Sequence, residues 1–320
     1  VNFNKSISEW ITQLEKAPHV LDRIAAINIL KNKKGRRVVE TALLKAAETD
    51  SFWGVRREAV NGLRSLRPKQ YAKELMELSE GQDNRVRRAI WNVLKNYKGN
   101  EDVSAFLQMI IDTDEKYYSV SDAFRALVVV DTAAAKDKVE RLLNIDSHTD
   151  VIRKSAISYF GSVKSDDNYS RLKDLAAYGG TTWDARPEAV IQLSRYIKDK
   201  PKTIDLMVEF LEDNSRNVRR NAARSLGNHG NKNHLNDLDG LLARDPILSR
   251  DVRLAKKKII SPSMRTEKIR DIIDIDELLI DPDSYLSQLE KVLLHENSGE
   301  IKKELQEANK RLEEIRRMLK

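Results

Sequence analysis

Arginine recurs along this chain with a period too regular to be chance: Arg23, Arg56, Arg87, Arg153, Arg186, Arg219 and Arg253, with Ser121 filling the eighth place. The intervals are 33, 31, 34, 32, 33, 33 and 34 residues. Seven residues after each stands a large apolar side chain: Leu30, Leu63, Leu94, Val128, Phe160, Leu193, Leu226 and Ile260. Alanine falls three places after the arginine in five copies (Ala26, Ala59, Ala156, Ala189, Ala222) and two places after in the others (Ala89, Ala123, Ala255). Positions 0, +3 and +7 share one side of an α-helix, so each segment predicts a buried stripe with a small residue inside it. The small residue lets a neighbouring helix approach closely.

A second helical segment lies before each arginine segment: Ser8–Lys16, Thr41–Glu48, Tyr71–Glu80, Val103–Ile111, Ala135–Asn144, Asn168–Tyr178, Thr203–Glu212 and Leu235–Ala243. Apolar residues recur in them at three- and four-residue spacing, as in Leu206, Met207, Phe210 and Leu211. With only 12 Gly and 7 Pro in 320 residues, and few strand signals, helix is favoured throughout. The predicted unit is a helix–turn–helix, and about eight of them stack into a right-handed α-α superhelix resembling a HEAT-repeat solenoid. An Asp often opens the arginine segment, as in Asp50-Ser-Phe-Trp-Gly-Val-Arg56 and Asp213-Asn-Ser-Arg-Asn-Val-Arg219. There it can end one helix and cap the next, and the repeated Arg is expected to stabilise it.

The repeat array is expected to span residues 1–262, with residues 1–3 a possible remnant of an upstream β-strand. After Ile260 the pattern stops at Ser261-Pro262-Ser263, and residues 263–320 read as a C-terminal helical extension. Its last segment, Glu300–Lys320, carries Ile301, Leu305, Ala308, Leu312, Ile315 and Leu319 at alternating spacings of four and three. This heptad seam fits either a cap folded on the last repeat or a coiled coil that lets the chain self-associate.

No constellation for catalysis emerges. His295-Glu296 begins an HExxH zinc motif, but Gly299 stands where the second His is needed. His229 and His234 sit in a loop without neighbouring carboxylates or cysteines, which reads as a solvated turn. Phosphate-cradling GxxxxGK, GxGxxG and the GxSxG elbow are all missing. The expectation is therefore no catalytic, cofactor-binding or metal-binding residue in this chain. Zero Cys and no apolar leader in VNFNKSISEW favour a cytoplasmic setting as the expectation, and no run of residues is apolar enough to span a membrane.

Candidate contact residues lie on the exposed side of the arginine segments. Five places after the repeat Arg, about 140° around the helix, stand Asn28, Asn61 and Asn92 in the first three repeats. Amides in a row could hydrogen-bond the backbone of an extended peptide; ordinary polar solvation is the alternative. Directly after the repeat Arg come Arg57, Arg88, Lys154 and Arg220, which could form a positive stripe for a carboxylate, a peptide terminus or nucleic acid. Trp53, Trp91 and Trp183 are expected to pack in the core. The net charge of +7 is spread along the chain.

Several strings resemble the C-terminal helical domain of M1-family aminopeptidases. They are Ile7-Ser-Glu-Trp-Ile-Thr-Gln-Leu-Glu-Lys-Ala17 followed by Leu21-Asp-Arg-Ile-Ala-Ala26, then Asp50-Ser-Phe-Trp-Gly-Val-Arg56 and Asp114-Glu-Lys-Tyr-Tyr-Ser-Val120. Val1-Asn2-Phe3 is similar to the strand that ends the preceding β-domain of that family. The resemblance covers roughly residues 1–260. It implies a non-catalytic domain acting as a lid or peptide-contact surface over a zinc peptidase domain. Zinc and the family's HExxH and GxMEN motifs belong to that parent and match no position here. The implied partners are the upstream peptidase domain and its peptide substrate. A stand-alone HEAT scaffold binding another protein is the alternative, and a HEAT-type nucleic-acid binder comes third.

Overall fold

The computed structural model describes residues 5–66, 70–114 and 116–261. The expectations for residues 1–3 and for the extension 263–320, including Glu300–Lys320, concern residues outside these. Among the described residues there are sixteen α-helices and no strand, so the expected all-α class of eight helix pairs holds. The pairs are α1 (Ile7–Lys16) with α2 (Val20–Leu30), α3 (Arg37–Thr49) with α4 (Trp53–Leu66), and α5 (Ala72–Leu78) with α6 (Asn84–Leu94). Next come α7 (Glu101–Thr113) with α8 (Tyr117–Val130), α9 (Thr132–Leu143) with α10 (Val151–Ser162), and α11 (Asp166–Ala176) with α12 (Arg186–Ser194). Last are α13 (Thr203–Glu209) with α14 (Arg216–His229) and α15 (Leu235–Arg244) with α16 (Ser249–Ile260).

The chain divides into two compact units, with the boundary between Ala222 and Ala223, inside α14. In the first unit each even-numbered helix from α2 to α10 packs against the even-numbered helix of the next repeat, ending at α12. Each of α2, α4, α6, α8, α10 and α12 also packs on the odd-numbered helix that precedes it. In the second unit α15 packs on α16, and Gly227 of α14 lies against Ala255 of α16.

Local chemistry explains where these helices begin. Ser6 and Glu9 form a reciprocal capping box at α1: Glu9 N–H donates to Ser6 Oγ (3.3 Å), and Ser6 N–H donates to Glu9 Oε2 (2.7 Å). Asn100, Asp131 and Ser165 accept from the backbone N–H three residues on, opening α7, α9 and α11.

The repeat arginine has a structural task, as expected. Arg23 donates from Nε and Nη2 to the Asp50 carboxylate of the following repeat (2.7 and 3.1 Å) and from Nη1 to the Ala17 carbonyl ending α1 (2.9 Å). Arg186 does the same with both Asp213 oxygens and the Ala176 carbonyl ending α11. Arg87 reaches Asp114 (2.6 Å). Asp50, Asp114 and Asp213 each also accept a backbone N–H two residues on, from Phe52, Lys116 and Ser215. One guanidinium thus ties a helix C-terminus, where carbonyls lack partners, to the carboxylate that turns the chain in the next repeat.

The apolar register differs from expectation in two repeats. Val128 is half-buried and Ile260 is 57% exposed, whereas Leu127 and Ile259 are buried. The constant unit is the alanine with a large apolar residue four places later: Ala26/Leu30, Ala59/Leu63, Ala89/Val93, Ala123/Leu127, Ala156/Phe160, Ala189/Leu193, Ala222/Leu226 and Ala255/Ile259, all buried. An i,i+4 pair shares one helix face, so the stripe follows the alanine rather than the arginine.

The tryptophans divide three ways. Trp91 is fully buried and its Nε1–H donates to Ser119 Oγ (2.9 Å). Trp53 is half-buried, with the Arg85 guanidinium stacked 3.3 Å from its ring centre and Arg57 at 5.3 Å. Trp183 is 56% exposed, contrary to expectation, because it sits in the turn joining α11 to α12 rather than on a helix.

Candidate functional site

Repeats one to three place the C-terminal halves of α2, α4 and α6 side by side. Gly62 makes the first approach possible: a Cβ there would lie 2.9 Å from Leu43, 3.4 Å from Ile27 and 3.6 Å from the Lys31 Cβ. Between the helix ends runs an open groove of about 570 Å³, lined by Lys31, Lys34, Glu58, Asn61, Arg64, Ser65, Asn92, Lys95 and Asn96. Two of the three predicted asparagines, Asn61 and Asn92, therefore share one concavity. Asn28 is exposed on α2, one helical turn before the lining residue Lys31, and its Oδ1 accepts from Lys31 Nζ at 2.7 Å.

Asn92 is held in the same way, and Asn61 from its nitrogen instead. Asn92 Oδ1 accepts from Lys95 Nζ (2.7 Å), and its Nδ2 donates to the Arg88 carbonyl (3.0 Å). Asn61 Nδ2 is 3.5 Å from Glu58 Oε1. Asn96 Nδ2 reaches the Arg64 carbonyl of the preceding repeat (3.4 Å), joining the two helix ends at the groove floor. Lys95 is partly withdrawn from water, which pulls its ammonium below the ordinary lysine value. Asp122 opposes that shift, and Arg64 and Arg125 reinforce it.

The predicted basic residues do not form one continuous stripe. Arg57 donates to Glu58 Oε1 from Nε (3.0 Å) and Nη2 (2.7 Å). Arg88 donates to Asp122 Oδ2 (2.6 Å) and lies 5.0 Å from the Tyr118 ring centre. Lys154 is half-buried on α10, and Arg220 on α14 donates to Asn217 Oδ1 (2.7 Å). Lys31, Lys34, Arg64 and Lys95, none of them singled out from sequence, are the cations that line the groove. The recurrence of Lys31, Arg64 and Lys95 eight residues after the repeat Arg is the signal that could find three of the four.

Among the described residues, no group of three His, Cys, Asp or Glu is arranged to hold a metal ion. His234 instead turns the chain: its Nδ1 accepts from the Asn231 N–H (3.1 Å). No described helix is long and apolar enough to cross a membrane.

Solved structures to which this chain is similar include the CpcE–CpcF complex of phycocyanin lyase from Nostoc sp. PCC7120. That match has 17% identity and a TM-score of 0.42, and it covers 80% of this chain and 94% of that one. A designed armadillo repeat protein matches at 14% identity and TM-score 0.32, covering 69% and 98%. Kap121p matches at 15% and 0.34, covering 92% of this chain and 36% of its own. A search of curated proteins finds no match. The model of HEAT repeats matches residues 40–128 and 179–255, just over half of the 320 residues. Paired helices tied by a recurring arginine, together with that match, show that the chain belongs to the HEAT-repeat family.

Proposed function

We propose that this chain is a HEAT-repeat scaffold for protein–protein interaction, and that repeats one to three hold an extended segment of the partner along Asn28, Asn61 and Asn92. The observation that carries the reading is the shared groove, which two of these amides line and the third flanks. Geometry suits an extended peptide. Packed helices stand about 8–10 Å apart and a strand advances about 3.3 Å per residue, so successive amides meet roughly every third peptide residue. Contacts to the peptide backbone hold it in register without reading its side chains. Arg57 and Arg88 lie on the same helices, already paired with carboxylates, and flank the path; Lys154 and Arg220 would extend it along later repeats.

The second reading is the lid over a zinc peptidase domain, supported by the resemblance strings in α1, α4 and α8. Those strings have another explanation in the repeat packing itself, since Asp50 and Asp114 receive Arg23 and Arg87, and Arg56 holds the Asp50 carbonyl (2.7 Å). The scaffold reading needs no residue outside this chain.

Panning a random peptide phage library against the chain, and against an Asn28→Ala/Asn61→Ala/Asn92→Ala variant of matching circular dichroism, tests the scaffold reading. Enrichment on the unaltered chain that disappears on the variant supports it. Equal enrichment on both, or none on either, overturns it.

A further inference from the structure

The groove has a charge pattern that repeat packing does not require. Eight places after the repeat Arg stand Lys31, Arg64 and Lys95 in repeats one to three. The later repeats have Val129, Gly161, Ser194, Gly227 and Ser261 at that place. The same three repeats carry the asparagines, so the recurring unit is an Asn with a cation one helical turn on: Asn28/Lys31, Asn61/Arg64 and Asn92/Lys95. In two of the three units the lysine Nζ is fixed on the asparagine Oδ1 at 2.7 Å.

Helix ends offer a simpler reason for a cation here, because the last carbonyls of a helix carry roughly half a negative charge. Lys31 and Lys95 do cap α2 and α6, and Arg64 lies in the last turn of α4. Yet α8 and α10 end with no basic residue in the last turn or at the cap, where Asp131 and Val163 stand. Compensation of the helix end is therefore not what the repeat needs, and half a charge leaves part of each cation unbalanced. Ion pairing does not balance it either. Lys31, Lys34, Arg64 and Lys95 form no ion pair with a described residue, although exposed pairs such as Lys45–Glu15 and Lys138–Asp112 occur elsewhere. The one carboxylate lining the groove, Glu58, is held by Arg57, and the nearby Asp122 is held by Arg88.

The groove is thus a concave surface rich in donors and cations. With Lys31 and Lys95 fixed on the Asn28 and Asn92 amide oxygens, those oxygens are occupied and the cations dominate what faces a ligand. Positive charge concentrated in a concavity draws anions by focusing the field. A nucleic-acid backbone would need that charge to continue as a stripe, and it does not, since Arg57 and Arg88 are paired with carboxylates. None of the lining residues is aromatic, so unpaired bases would have nothing to stack on.

We infer that repeats one to three select an acidic extended peptide, whose carboxylate side chains sit between Lys31, Arg64 and Lys95 while Asn61 and Asn92 hold its backbone. This rests on the scaffold reading and adds the chemical class of the partner segment.

Fluorescence anisotropy with defined probes tests it. The probes are labelled decapeptides of alternating Glu and Gly, Gln and Gly, or Lys and Gly, plus a single-stranded DNA of equal length. The Glu peptide should bind about tenfold more tightly than the Gln peptide at low salt, the combined effect of a few exposed charge pairs. That margin should shrink as salt rises. Arg64→Glu, at an exposed position, should remove the margin, and Arg64→Glu/Lys95→Glu should shift preference toward the Lys peptide in a chain of unchanged circular dichroism. If the Gln peptide binds as well as the Glu peptide, the acidic selectivity is overturned while the scaffold reading stands. If DNA binds and no peptide does, both fall in favour of a nucleic-acid partner. If no probe binds, the inference is overturned, and the phage enrichment decides the scaffold reading separately.

Discussion

Replacing Asp213 with Asn should destabilise the chain far more than its size suggests, because it leaves a buried guanidinium without its counter-charge. The Arg186 and Asp213 side chains are 4% and 9% exposed. Asparagine keeps the Oδ1 that accepts the Ser215 N–H (2.7 Å), so the turn survives, but it sets an NH₂ group against the Arg186 donors. Arg186 would retain the Ala176 carbonyl at 2.7 Å and the neutral Oδ1 at 2.9 Å, but no charged partner and no acceptor for Nη2. Breaking a buried pair from one side costs about 3–5 kcal/mol, and the residual exposure puts the expected loss at the lower end, about 3 kcal/mol. The exposed pair Lys164–Asp199, with side chains 44% and 55% accessible, is the internal control, and Asp199→Ala should cost about 0–1 kcal/mol. Urea denaturation followed by far-ultraviolet circular dichroism reads both, and an unchanged m-value confirms that the cost falls on stability. Arg186→Met/Asp213→Asn should recover about half of the loss, since no orphaned charge remains. An Asp213→Asn cost indistinguishable from that of Asp199→Ala would refute the claim that the arginine–aspartate clasp ties adjacent repeats.

Two further perturbations probe packing and titration. Gly227→Ala places a Cβ 2.7 Å from the Ala255 Cα, a backbone atom that cannot swing aside, and should cost about 2 kcal/mol. Gly240→Ala, with nothing within 4 Å, should instead gain about 0.5–1 kcal/mol from helix propensity, so thermal melts of the two variants should move in opposite directions. Burial pushes the Tyr97 phenol up to about 12 from its ordinary 10.0. Its folded form thus keeps a proton that the unfolded chain loses across that interval, so stability should decline as pH rises from about 10 towards about 12. Because the hydroxyl has no hydrogen-bond partner among the described residues, Tyr97→Phe should leave neutral-pH stability nearly unchanged and flatten that decline; a steep loss at neutral pH would contradict this account.

The helices were legible because each must bury one stripe, and that demand repeats. Seven of the eight segments read as preceding partners overlap an observed α-helix almost end to end, and the eighth, Thr203–Glu212, is α13 followed by the short turn Phe210–Glu212. Arginine was the visible marker of the period, but it clasps a neighbouring repeat and can shift by one residue relative to the core. That is why counting from the arginine puts Val128 and Ile260 inside although neither is buried, and why the Ala-to-apolar i,i+4 pair is the sounder ruler. Trp183 went astray for a different reason. The default for tryptophan assumes a place on a packed element, whereas Gly179, at φ 78°, turns the chain into a loop that carries the indole outward.

Recognition residues in a repeat protein are read by a rule opposite to the one that finds its core. A position filled alike in all eight repeats is accounted for by stacking, as the buried alanines are, and so says little about a partner. A position filled alike in only three consecutive repeats cannot be explained by stacking, because the other repeats stack without it. Asparagine at the fifth place and a cation at the eighth meet that condition together, and both fall on helix ends that line or flank one groove. The basic residues next to the repeat Arg also recur, yet what decides their availability is a partner that local spacing does not reveal. Arg88 is paired by Asp122, 34 residues away, whereas Arg64 has no carboxylate partner among the described residues. Charge counted along the sequence overestimates what a surface can offer, and only the cations left over after pairing can draw an anionic partner to it.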